Sequence, residues 1–95
     1  MSRSKRRRTG PSRATRAAVM LRAGNCCERC GVPVADVPGS IHHRQARGMG
    51  GTKDPATNAA YNLALLCGTG TTGCHGHIES ERTEAKKDGW VVETW

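Results

Sequence analysis

Residues 41–44 read Ile41-His42-His43-Arg44, and the adjacent histidines set the terms for the whole chain. An extended backbone sends successive side chains to opposite faces. His42 and His43 therefore cannot do the same job at the same point. One suits a metal ion, while the other meets a substrate from another direction. Partners for such a pair occur downstream in Asn62 and in the cluster Cys74-His75-Gly76-His77. Two cysteine pairs, Cys27/Cys30 and Cys67/Cys74, bracket the assembly.

The cysteines come as C-x2-C and C-x6-C on either side of an expected hairpin. Four thiolates so arranged suit one tetrahedral structural zinc, held by Cys27, Cys30, Cys67 and Cys74. Gly31, directly after the first pair, relieves the tight turn that a zinc knuckle needs. Cys26 is the odd one of five. It reads as a spare, half-buried thiol, with replacement of Cys27 as a ligand the alternative. A staple is needed because the chain has 95 residues, no Phe, two Trp and one Tyr. So short a chain buries little core and folds as one domain at most. It shows no secretory segment and no apolar run of membrane length, which points to the reducing cytoplasm, a monomer and no membrane partner. There, paired cysteines bind metal more often than they form disulfides.

The net charge is +7. All of the excess lies in residues 1–16, where Arg3, Lys5, Arg6, Arg7, Arg8, Arg13 and Arg16 face no acid. Residues 1–10 read as a disordered basic arm that binds a polyanion through counterion release. A solubilising tail is the plainer alternative.

Residues 11–95 form the folded unit. Pro11 to Ala23 predicts a helix, with Ala14, Ala17, Met20 and Leu21 on its packing face and Gly24-Asn25 as its stop. Ser40 to Arg44 and Asn62 to Cys67 predict two strands of a hairpin. The Gly48-Met49-Gly50-Gly51 loop between them suits a phosphate backbone, with Arg44 and Arg47 near its root. An ordinary surface connection is the alternative. Residues 74–87 predict a second helix, acids early and lysines late, ended by Asp88-Gly89. Trp90-Val91-Val92 predicts a last short strand or extended tail anchored by Trp90.

The histidines call for a second centre. His42 and His75 would chelate a catalytic divalent ion, with His77 a third candidate that helical geometry turns away from His75. His43 would be the general base, since imidazole titrates near neutrality. Asn62 would orient it through a side-chain or main-chain carbonyl. The ion, Mg2+, Mn2+, Ni2+ or Zn2+, would polarise a scissile phosphate and stabilise the leaving 3′ oxygen.

His43, Asn62 and His75 resemble the H-N-H signature of HNH endonucleases. The two cysteine pairs resemble the zinc-bearing branch of that family. The segments IHHRQARGMGG, NLALLCGTGTTGCHGHIES and GWVV are similar to those of small phage and prophage HNH proteins. The resemblance covers about residues 24–93. It implies an α+β chain with a small ββα-metal (His-Me finger) domain, a four-cysteine structural zinc and an N-terminal helix at 11–23. It also implies a metal-dependent DNA endonuclease of low sequence specificity, with His42 and His75 on the catalytic metal, His43 as base and Asn62 orienting it. DNA-contact candidates are Arg44, Arg47, Arg6, Arg7 and Arg8. Terminase and portal proteins are the partners such phage relatives imply. The rival reading is a non-catalytic zinc module that binds nucleic acid or a terminase. If the arm meets DNA, a chain lacking residues 2–10 will bind a duplex more weakly and with a shallower salt dependence. An anisotropy titration across salt concentrations measures both.

Overall fold

A computed structural model describes residues 10–45 and 55–93. Arg6, Arg7, Arg8 and Arg47, residues 1–9 of the basic arm and the glycine loop at 48–51 lie outside the described residues. The described chain is a small α+β unit with three helices and one two-stranded antiparallel sheet.

Helix α1 spans Arg13–Ala23. The Ser12 hydroxyl caps it by accepting from the Thr15 N–H, and Gly24, at φ 65°, closes it in the left-handed conformation. Both termini are thus satisfied by local chemistry. Its packing face differs from the expected one. Val19 is buried, with Met20 and Ala23 partly so, whereas Leu21 is 83% exposed and Ala14 and Ala17 are exposed. The helix is rotated because Arg22 anchors it. The Arg22 guanidinium donates to both Glu28 oxygens (2.9 and 2.7 Å) and to the carbonyls of Ala60 (3.0 Å) and Leu63 (2.7 Å). Glu28 in turn accepts from the Leu65 N–H, and its own N–H donates to the Leu65 carbonyl. One ion pair thereby joins the helix, the knuckle and the outer edge of a strand.

Strands β1 (Gly39–His43) and β2 (Leu63–Cys67) pair with Ile41 opposite Leu65 and His43 opposite Leu63. The pleat divides two apolar clusters. Leu63 and Leu65 pack with Val19 and Ile41 towards α1, while Ala64 and Leu66 pack with Cys27, Cys74, Ile78, Ala85 and Val91. His42, two residues from Ser40 on β1, belongs to the second face.

Helix α2 (Gly73–Ser80) follows, then α3 (Arg82–Lys87). The single helix expected over 74–87 is therefore broken, with Glu81 at φ −120°, ψ 56°. The Ser80 hydroxyl donates to the His77 carbonyl, the kind of local bond that competes with a helical backbone. Beyond α3 the chain turns at residues 88–89 and continues through bends to residue 93, so the short strand or extended tail expected at Trp90-Val91-Val92 does not form. The Val92 N–H donates to the Arg44 carbonyl, and Trp90 packs half-buried against the second cluster. Arg44 acts as a clamp here, donating to the Gly89 and Tyr61 carbonyls.

The Arg22–Glu28 junction has a measurable weight. Glu28→Ala leaves the Leu65 N–H without its acceptor and the Arg22 guanidinium with only the Ala60 and Leu63 carbonyls, so unfolding stability should fall by about 1–3 kcal/mol. Urea titration of the metal-saturated protein would show the loss.

Candidate metal centres

The first centre is built from sulfur. The Sγ atoms of Cys27, Cys30, Cys67 and Cys74 all lie within 4.8 Å of one another, and all four thiols are free. The Cys30 and Cys67 sulfurs are 3.8 Å apart. That matches a tetrahedron of thiolates about 2.3 Å from one ion, whose edges are about 3.8 Å. Local turns deliver each pair. The Gly31 N–H donates to the Cys27 carbonyl and the Cys30 N–H points at the Cys27 sulfur. On the other side, the six residues between Cys67 and Cys74 fold back on themselves. Thr69 and Thr72 exchange main-chain hydrogen bonds, and the Cys74 N–H points at the Cys67 sulfur. The fold-back relies on glycine. A Cβ at Gly76 would land on the Thr71 backbone, so only glycine lets the loop lie against α2. Cys26 stands outside the group, half-buried, its main chain bridged to Pro33.

The thiol acidities show why this cluster needs a cation. Burial would raise Cys27, but the N–H groups of Cys30, Cys67 and Arg29 outweigh it and bring that thiol down to about 6. Burial pushes Cys74 up to about 12; Arg29, donating to its sulfur at 3.3 Å, opposes the rise and the three neighbouring sulfurs add to it. The Cys27 thiolate forms readily, while burial, with the neighbouring sulfurs adding to it, blocks that of Cys74. An ion at the centre removes that block. The donor set is compatible with structural zinc.

The second centre is built from His42, His75 and Glu79, whose ligand atoms also lie within 4.8 Å of one another. Each imidazole has its tautomer set by a neighbour. His42 Nε2 donates to the Trp90 carbonyl at 2.7 Å, which leaves Nδ1 bare. The Ser40 hydroxyl donates to the Gly68 carbonyl, so at 2.6 Å it accepts from His75 Nδ1 and leaves Nε2 bare. His42 Nδ1 is 3.4 Å and His75 Nε2 is 3.5 Å from the same oxygen, Glu79 Oε2. Ligands about 2.1 Å from one tetrahedral ion would lie about 3.4 Å apart. His42 Nδ1 is buried and has no hydrogen-bond partner, an uncommon and costly condition for a polar atom. Burial, chiefly, lowers the His42 pKa, with His75 adding to it. The ring is thereby held in the neutral form that ligates metal. Two bare nitrogens and a carboxylate oxygen facing one point fit a divalent cation.

Glu79 is the candidate ligand that sequence reasoning missed. It stands four residues after His75, on the same helical face, whereas the more obvious candidate, His77, is only two residues on. His77 is exposed, 3.9 Å from Glu84. The other Glu79 oxygen accepts from Arg82 at 2.7 Å, across the break between α2 and α3.

His43 leaves β1 on the opposite face and is half-buried. Its Nε2 donates to the Asn58 side-chain oxygen at 2.8 Å, so its Nδ1 is the bare nitrogen. Asn58, within the 3-10 turn Pro55–Asn58, thus holds the place expected for Asn62. Asn62 is fully buried and braces the loop instead. Its side chain accepts from the Gln45 N–H and donates to the carbonyls of Gln45 and Thr57, while its own carbonyl accepts from the Arg44 N–H.

No family model, no curated protein and no solved structure matches the chain. Among the described residues no helix is long and apolar enough to cross a membrane.

The two centres should separate on mutation. Cys67→Ser should unfold the domain, because the sulfur cluster joins three segments and structural zinc contributes on the order of 10 kcal/mol. His75→Ala should stay folded and lose one divalent ion. Circular dichroism and metal analysis of both variants distinguish the outcomes, and equal loss of structure would argue against two separate centres.

Proposed function

We propose that this chain is a metal-dependent endonuclease that hydrolyses DNA phosphodiester bonds, an HNH-type enzyme on a ββα-metal scaffold stapled by a four-cysteine zinc. The observation carrying the reading is the convergence of bare His42 Nδ1, bare His75 Nε2 and Glu79 Oε2 on one point, with His43 at the next position of the same strand. The order of elements supports it, since β1 supplies His42 and His43, β2 pairs with β1, and α2 supplies His75 and Glu79.

In this reading His42, His75 and Glu79 hold a divalent ion. A divalent ion held there would supply Lewis-acid polarisation of the phosphate and charge for the leaving oxygen. His43 Nδ1 takes a proton from the attacking water. The water oxygen bonds to phosphorus as the bond to O3′ breaks, and O3′ takes a proton from solvent, which leaves a 5′-phosphate and a 3′-hydroxyl. Asn58 keeps the His43 proton on Nε2, so the acceptor nitrogen faces the water. Trp90 and Ser40 do the same for His42 and His75. Asn62 positions the base indirectly, by bracing the segment after β1 against Thr57.

Supercoiled plasmid incubated with protein and a divalent ion tests the reading. His43→Ala and Glu79→Ala should each lower cleavage at least about 100-fold, and Asn58→Ala about tenfold, all with native circular dichroism. Cleavage at the wild-type rate by His43→Ala would refute the base assignment. Absence of cleavage by the wild type with every divalent ion would leave a zinc module that binds nucleic acid.

A further inference from the structure

A cleft of about 580 Å³ opens between the end of β1, α3 and the C-terminal segment. Its polar wall is Gln45, Arg82, Thr83 and Lys86, and Glu93 closes it. Three of its lining residues lie next to the imidazole–carboxylate site in sequence or through a hydrogen bond. Gln45 is three residues past His42. Arg82 donates to the Glu79 oxygen that turns away from the histidines. Val91, which also lines the cleft, follows the residue whose carbonyl holds His42.

The wall offers a guanidinium, an ammonium, a carboxamide and a hydroxyl, and those from Arg82, Lys86 and Gln45 are the donors a phosphodiester needs. Among the described residues that line the cleft, the one anion is Glu93. Its Oε2 accepts from Lys86 Nζ at 2.7 Å, and its main-chain carbonyl accepts from Gln45 Nε2 at 2.8 Å. Lys86 holds the Glu93 carboxyl below the ordinary carboxylate range. An acid seated among such donors marks where an anionic oxygen is favoured. An exposed ion pair of this kind contributes little to stability, so an incoming phosphate can replace it.

We propose that this cleft is a phosphodiester subsite in which Arg82 and Lys86 hold a phosphate beside the scissile one, and that the Glu93 carboxylate occupies the place until nucleic acid arrives. The proposal rests on the nuclease reading for the word scissile, but the subsite itself needs no catalysis. Arg82 has a double part, as a cleft donor and as the positioning residue that fixes the Glu79 carboxylate. Lys86 has no link to the ligand set and isolates the binding role.

The test is anisotropy of a labelled DNA duplex, without added divalent ion, across a range of salt. The proteins are the full-length wild type, Lys86→Gln, Glu93→Gln and the double variant, each checked for native circular dichroism. Lys86→Gln should weaken binding about fivefold and reduce the salt slope by about one. Glu93→Gln should tighten binding about threefold when Lys86 is present and have no effect when it is absent. An unchanged affinity for Lys86→Gln overturns the proposal. So does a Glu93→Gln gain that is equal with and without Lys86, because that is a bulk charge effect. If these shifts appear while the wild type cleaves no DNA, the nuclease reading fails and the cleft stands as a nucleic-acid contact. If the wild type cleaves and the shifts are missing, only the subsite falls.

Discussion

Four sulfurs within 4.8 Å of one another cannot all ionise unless a cation lies among them. That constraint governs this chain, because its apolar core is too small to hold it together. Among the described residues, the fully buried side chains of any size are Leu63, Leu66, Ile78, Val19, His42 and Asn62. Two of those six are polar. The sulfur cluster sits where the knuckle, the end of β2 and the start of α2 meet, and Cys27 and Cys74 are themselves members of the larger apolar cluster. An ion held there would do the work that aromatic residues do in larger domains.

The same junction aligns the second centre. Cys74 and His75 are consecutive, so the turn that brings Cys74 to the sulfurs also sets the angle of the His75 backbone. Ser40 then ties the His75 ring to the carbonyl of Gly68, the residue after Cys67. Every ring in the imidazole–carboxylate site is thus held by a neighbour anchored to the sulfur cluster or to the C-terminal segment. Supporting hydrogen bonds of this kind fix ligand orientation at metal sites.

Much of this was legible in the chain itself, and the reasons are local. Cysteine spacing names its own partners, and strand alternation separates His42 from His43 without tertiary information. Gly24 ends α1 where its sequence signal places the stop, whereas the helix begins at Arg13 behind the Ser12 cap rather than at Pro11. The rotation of α1 was not legible, because it follows from Arg22 reaching residues that are distant in sequence. Glu79 was open to an i, i+4 argument from His75 that an attractive nearby histidine displaced. Asn58 carried no signal, since a single asparagine in a short turn looks like any other. The break at Glu81 left no mark in an otherwise helical composition.

The bond from His42 to the Trp90 carbonyl has a consequence for the order in which the protein is made. A chain growing from its N-terminus contains both imidazoles and Glu79 before it contains Trp90. Until that carbonyl is added, nothing from the C-terminal segment holds the proton on His42 Nε2. Synthesis therefore completes the candidate ligand list before the geometry, and the imidazole–carboxylate centre matures only once Trp90 has been added.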